Sequence, residues 1–175
     1  MPFSNWRGKD ASVSWIQQKT DINTVVDIGA GSGTYPILLK ETNQVLNNAK
    51  WIGIEAWEPY IEEFDLNNKY DVLYNEDARF LDWGKFGNVD LTICGDVLEH
   101  MTKEEAQGLI NEALKHSKYV LISIPIKHMP QGAEHGNPFE IHVKDNWTHE
   151  EELESFPNIK QSKPVKKIGV YWLER

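Results

Sequence analysis

The stretch Val25-Val26-Asp27-Ile28-Gly29-Ala30-Gly31-Ser32-Gly33-Thr34-Tyr35 decides the fold. Val25, Val26 and Ile28 make a short β-branched run of the kind that forms a buried strand, and glycines follow at alternate positions 29, 31 and 33. Glycine serves a turn in which backbone must come close to a ligand and take φ values that other residues avoid. Helical character resumes over Tyr35-Pro36-Ile37-Leu38-Leu39-Lys40, where Pro36 is tolerated because it falls in a first turn. Strand, glycine turn and helix N-terminus, in that order, build a nucleotide cradle.

Small departures decide which nucleotide. The dinucleotide fingerprint G-x-G-x-x-G requires a third glycine at position 34, where this chain has Thr34; the third glycine arrives one residue early, and Asp27 precedes the first by two. The resulting D-x-G-x-G-x-G resembles motif I of the class I S-adenosylmethionine-dependent methyltransferases.

Three downstream stretches agree with it. Trp51-Ile52-Gly53-Ile54-Glu55 is a second apolar run ending in a carboxylate 22 residues beyond Gly33. An acid at that point can accept hydrogen bonds from both ribose hydroxyls, and the spacing expected is about 20 residues. Tyr70 to Tyr74 reads as a third strand, followed by Asn75-Glu76-Asp77-Ala78. The resemblance implies that Asp77 reaches the adenine amino group and the backbone of Ala78 meets the ring. Val89 to Cys94 and then Gly95-Asp96-Val97-Leu98-Glu99-His100 resemble the family's fourth strand and its D-x-L-E-H continuation. The four motifs fall in family order over roughly residues 24 to 126.

The fold expected is α/β: a doubly wound, Rossmann-like sheet of seven mostly parallel strands with an antiparallel last strand and helices on both faces. One domain spans residues 1–175, opening with a leading helix within residues 1–20 in which Ala11, Trp15 and Ile16 share a face. Helices are expected near 35–48, 58–68 and 103–117. The last is introduced by the capping-box spacing Thr102-Lys103-Glu104-Glu105, and Thr148-His149-Glu150-Glu151 opens another. Tyr119 to Ile124 suits a buried central strand, and two short strands near 159–164 and 167–173 close the chain.

Length and charge bound the function. A chain of 175 residues buries about 70% of its unfolded surface in one domain. No apolar run approaches the roughly 20 residues that span a bilayer, and no apolar signal core opens the chain, so the expected location is cytoplasmic. The single cysteine, Cys94, falls in a strand and reads as a small packing residue. A formal net charge of −9 counts against a nucleic-acid partner. The densest basic stretch, Lys160 to Lys167 with four lysines, reads as a protected sheet edge and turn.

The resemblance implies S-adenosylmethionine as methyl donor, S-adenosylhomocysteine as product, and a small-molecule acceptor taking the methyl group on oxygen or nitrogen, in a monomer or homodimer. It gathers Asp27, Gly29, Ala30, Gly31 and Gly33 of the glycine turn around the donor, with Glu55, Ala56 and Trp57 after the second strand, Asp77 and Ala78 after the third, and Asp96 after the fourth. Asp96, His100 and His128 are the candidate catalytic residues, wherever the acceptor must lose a proton. The individual part of the chain is the loop 125–147, containing Asn137-Pro138-Phe139-Glu140-Ile141-His142 and leading to Trp147. It resembles a stretch in some small bacterial methyltransferases and is expected to act as a substrate lid. Its histidines 128, 135 and 142 recur every seven residues, a spacing that matches no compact zinc pattern, so no metal is expected. Two other readings stay open: a non-catalytic donor-binding accessory or sensor protein, and a different reaction on the same cradle, such as aminopropyl transfer.

Overall fold

Seven strands form one sheet in the computed structural model, which describes residues 4–175; the first three residues of the leading segment lie outside the described residues. The strands are β1 (Thr24–Ile28), β2 (Lys50–Ile54), β3 (Val72–Tyr74), β4 (Val89–Gly95), β5 (Ser117–Pro125), β6 (Ile159–Val165) and β7 (Ile168–Glu174), in the spatial order β3-β2-β1-β4-β5-β7-β6. All neighbours run parallel except β7, which is antiparallel to both β5 and β6. The antiparallel strand is therefore last in sequence but lies inside the sheet, and β6 forms the edge.

The two-residue period of each central strand feeds two separate cores. Val26, Ile28, Ile52, Ile54, Cys94, Val120 and Ile122 face one side. There they pack on α4 (Lys103–His116) through Ala106, Leu109, Ile110 and Ala113. Val25, Trp51, Leu91, Ile93 and Leu121 face the other side, against α1 (Lys9–Gln17) and α2 (Thr34–Pro36), which runs on as a π-helical turn over Ile37–Thr42. Strands buried on both faces explain why these segments read as continuous apolar runs. The shorter helices α3 (Glu58–Glu63) and α5 (His149–Ser155) complete the set.

Caps fall where the sequence puts them. The Thr102 hydroxyl accepts from the Glu105 N–H while Glu105 accepts from the Thr102 N–H, and Thr148 accepts from the Glu151 N–H. Helix lengths differ from expectation. The helix expected over 35–48 ends at Thr42, and that expected over 58–68 breaks after Glu63. Gln44, Leu46 and Asp65 take φ of 53°, 59° and 50°, left-handed values that a right-handed helix cannot incorporate. In α1 the buried face is Lys9, Ser12 and Ile16, in place of the expected Ala11, Trp15 and Ile16. The lysine run lies on the exposed edge strand β6 and its turn to β7. Among the described residues no helix is long and apolar enough to cross a membrane.

Candidate functional site

The order of the sheet reverses between β1 and β4, and a crevice opens outside their carboxyl ends, where ligands bind in open α/β sheets. A cleft of about 870 Å³ occupies that position. Gly29, Ala30 and Gly31 line it from the end of β1, Glu55 and Ala56 from β2, Asp77 and Ala78 from β3, and Asp96 from β4. The fold thus brings eight of the expected donor-site residues to one cavity.

The glycine turn works differently from a row of free amides. The Gly29 and Ala30 N–H groups both donate to the Ile54 carbonyl at 2.9 Å, and the Gly31 N–H donates to Glu55 Oε2 at 2.8 Å. The turn is thereby sewn to β2, leaving Gly29 to provide close approach of backbone. Its φ is 69°, and a methyl group there would lie 2.6 Å from Val97 Cγ2. Glu55 is 5% exposed, and its second oxygen accepts from the Trp57 N–H at 2.8 Å. Burial pushes its pKa up, while the amides of Trp57 and Gly31 stabilise the charge. Each oxygen keeps a lone pair for a hydroxyl in the cleft.

Asp77 accepts from the Arg79 N–H and from its guanidinium, with an Nη2–Oδ2 distance of 2.5 Å. Burial opposes its charge, but the combined hydrogen bonds and charge of Arg79 hold the carboxyl below the usual range. Asp96 has φ 57°; its Oδ2 accepts from the Ser4 hydroxyl at 2.5 Å and the Asn5 N–H at 2.6 Å, while Oδ1 is buried with no partner among the described residues. Behind Ser4 lies Lys9, 2% exposed, whose Nζ donates to Ser4 Oγ and to Tyr35 Oη. Burial lowers its pKa to about 8 against the pull of Asp96, Asp27 and Glu99.

Three expected donor-site residues do not line the cleft. Asp27 is buried under the turn and accepts from the Tyr70 hydroxyl at 2.6 Å; burial raises its pKa to about 7. Gly33 caps α2, and Trp57 precedes α3. Of the catalytic candidates, Asp96 and His100 line the cleft, whereas His128 does not: its side chain is 70% exposed and 3.5 Å from Asp145. The reason is local, because His128 follows the end of β5 and the chain there runs out along the surface before turning back. Cys94 is fully buried in β4, and burial pushes its thiol pKa up, in keeping with a packing role.

The loop 125–147 contains two short 3₁₀ turns, Glu134–Gly136 and Pro138–Glu140. Asn137, Phe139 and Glu140 return to line the cleft, and Tyr60 of α3 donates to Glu140 Oε1 at 3.2 Å. The loop also shapes a second cavity of about 390 Å³, which shares Asp96 and His100 with the first. Lining residues missed in the sequence are Ser4, Tyr60, Arg79, Asn137 and Glu140. The Asn-Pro-Phe-Glu run was the available signal for the last two; nothing local marks Ser4 or Tyr60.

No protein-family model matches the sequence, and no curated protein matches it. Solved structures do. The N-terminal domain of EvdMO1, solved with S-adenosylhomocysteine bound, is 14% identical with a TM-score of 0.68, over 98% of this chain and 83% of that one. Magnesium protoporphyrin IX methyltransferase from Synechocystis PCC 6803, solved with S-adenosylmethionine bound, is 16% identical with a TM-score of 0.65, over 95% and 77%. The small RNA methyltransferase HEN1 is 18% identical with a TM-score of 0.67, over 100% of this chain and 26% of that one. The chain has the fold of the class I methyltransferases.

Proposed function

We propose that this protein is an S-adenosylmethionine-dependent methyltransferase acting on a small-molecule acceptor. The observation that carries the reading is the buried Glu55 carboxylate, pinned by two backbone amides at the wall of a cleft of about 870 Å³. A buried acid held in one position by Gly31 and Trp57 is preorganised to receive a pair of vicinal hydroxyls. Gly29 lines the same cleft, at a positive φ and packed against Val97 where a methyl group has no room. These features fit a ribose-bearing donor whose adenine end lies toward Asp77 and Ala78. When bound, the donor supplies an electrophilic methyl carbon on a sulfonium.

The chain's own residues then have to hold, orient and keep water away. Positioning alone can lower a barrier by about 7–11 kcal/mol. Asp96 stands at the junction of the two cavities with one buried oxygen that has no partner among the described residues, and His100 forms their common wall. The donor reading fills the larger cavity, so the acceptor belongs in the smaller one, with its reacting atom at that junction. A net charge of −9 and a second cavity of about 390 Å³ support a small acceptor over a nucleic acid.

The test is Glu55→Ala. Hydrogen bonds to charged groups contribute about 1.5–3 kcal/mol, so donor affinity measured by calorimetry should fall at least tenfold while the apo fold survives. Unchanged affinity would assign the ribose to another group, and absence of S-adenosylhomocysteine release with any metabolite fraction would leave a binding protein in place of an enzyme.

A further inference from the structure

The geometry points to a divalent transition-metal site made by Glu99, His100 and His142 at the wall of the smaller cavity. Each of the three offers a ligand atom, and those atoms lie within 4.8 Å of one another. In the sequence, His142 falls with His128 and His135 at a spacing of seven, which points away from a metal. The fold instead discards those two and brings His142 across to the turn after β4. Its ring packs edge-on against His100 with centroids 4.9 Å apart.

Three independent features favour an ion here over a packing cluster. Glu99 is 2% exposed and lines the cavity, yet its Oε2 is buried with no hydrogen-bond partner among the described residues. A carboxylate oxygen left so is costly unless something fills its coordination. Both imidazoles are also fixed from behind: His100 Nδ1 lies 3.2 Å from the Ile141 carbonyl and His142 Nδ1 2.5 Å from the Met129 carbonyl. A carbonyl accepts only, so each Nδ1 carries the proton and each Nε2 keeps a lone pair. Metal-bound histidines are oriented by this kind of backbone contact. The loop itself is tied to the same corner, since the Lys144 N–H donates to the Glu99 carbonyl at 3.0 Å and the His142 N–H to the Gln131 carbonyl at 3.1 Å.

Two imidazoles and one carboxylate suit zinc or iron(II), with coordination positions left open, and do not suit magnesium, which prefers oxygen ligands. The open positions would face the cavity that adjoins Asp96. Resting on the methyltransferase reading, the ion's role is to bind an acceptor oxygen at the junction of the two cavities and lower the pKa of its hydroxyl. An acceptor with a hydroxyl or adjacent oxygens is then the class that fits.

The experiment is a titration of the purified protein with Co²⁺, followed by visible ligand-field absorption, beside a separate calorimetric titration with S-adenosylhomocysteine. The expected result is saturation at one ion per chain, displacement by Zn²⁺ and none by equal Mg²⁺. Glu99→Gln, which keeps the side chain's shape, and His142→Ala should each weaken Co²⁺ at least tenfold while S-adenosylhomocysteine affinity stays within threefold. No saturable uptake by the wild type, or uptake equal in both variants, overturns the site. Saturable Co²⁺ uptake without S-adenosylhomocysteine binding would overturn the donor reading and leave the metal site standing.

Discussion

Asp27, the acid of the glycine-turn motif, lies buried beneath that turn. It sits at the end of β1, 2% exposed, with the Tyr70 hydroxyl as donor to its Oδ2. Burial raises its pKa from 3.8 to about 7, more than Tyr70 and the nearby Lys9 lower it. Unfolded, the carboxyl loses its proton near pH 3.8; folded, it keeps it until about pH 7. Between those values the folded chain binds one proton more than the unfolded, so the contribution of Asp27 to stability falls as pH rises and is level above. Asp27→Asn removes this dependence while keeping an acceptor for Tyr70. The variant should gain on the wild type between pH 4 and 7 by up to about 1.4 kcal/mol per pH unit. Urea unfolding at several pH values measures it, and a difference independent of pH would mean that water reaches the carboxylate. Lys9 adds nothing to the slope in this window, because its folded value near 8 leaves it charged in both states below that pH.

At the scale of elements, the strands were legible because each central one is buried on both faces, which leaves a continuous apolar run in the sequence. The cradle was legible for a related reason: Gly29 and Glu55 have environments that tolerate few other residues. Helix ends were less so. Gln44, Leu46 and Asp65 are not residues whose identity announces a left-handed backbone, and tertiary packing imposed it. The loop 125–147 defied reading most, since Asn137, Glu140 and His142 acquire their places only through contacts with α3 and the turn after β4. That gives a test of the lid. Tyr60 ties α3 to Glu140, which also accepts from Gln131 Nε2 at 3.0 Å. Tyr60→Phe removes one hydrogen bond, worth about 0.5–1.5 kcal/mol. Amide exchange across residues 137–142 should speed up severalfold in the variant, and donor plus acceptor should slow it in both proteins, as lid closure requires. Exchange unchanged by ligands would mean that the loop is a fixed wall.

For the molecule as a whole, the cleft is where its two halves depend on each other. Its floor comes from the turn after β1, one wall from β2 and β3, another from β4, and its roof from the loop after β5. A ligand there contacts segments distant in sequence that unfolding would separate, so it binds the folded chain and has no comparable site on the unfolded one. Linkage then fixes the size of the effect: at 100 times its dissociation constant, a single-site ligand stabilises folding by about 2.7 kcal/mol. For a chain of 175 residues each kcal/mol moves the melting temperature by roughly 2–4 °C, so S-adenosylhomocysteine should raise it by roughly 5–11 °C. Nicotinamide dinucleotides should leave it unchanged, because Thr34 stands where their fingerprint requires glycine and the helix packs closely there, with Thr34 6% exposed. Glu55→Ala should cut the ligand shift by at least about half, because a tenfold loss of affinity takes the same ligand concentration from 100 to 10 times the dissociation constant. Thermal scans over a concentration series check both parts. A rise with NAD and none with either adenosyl ligand would assign the cleft to a different nucleotide, and a ligand shift preserved in the Glu55 variant would move the binding energy away from the ribose end.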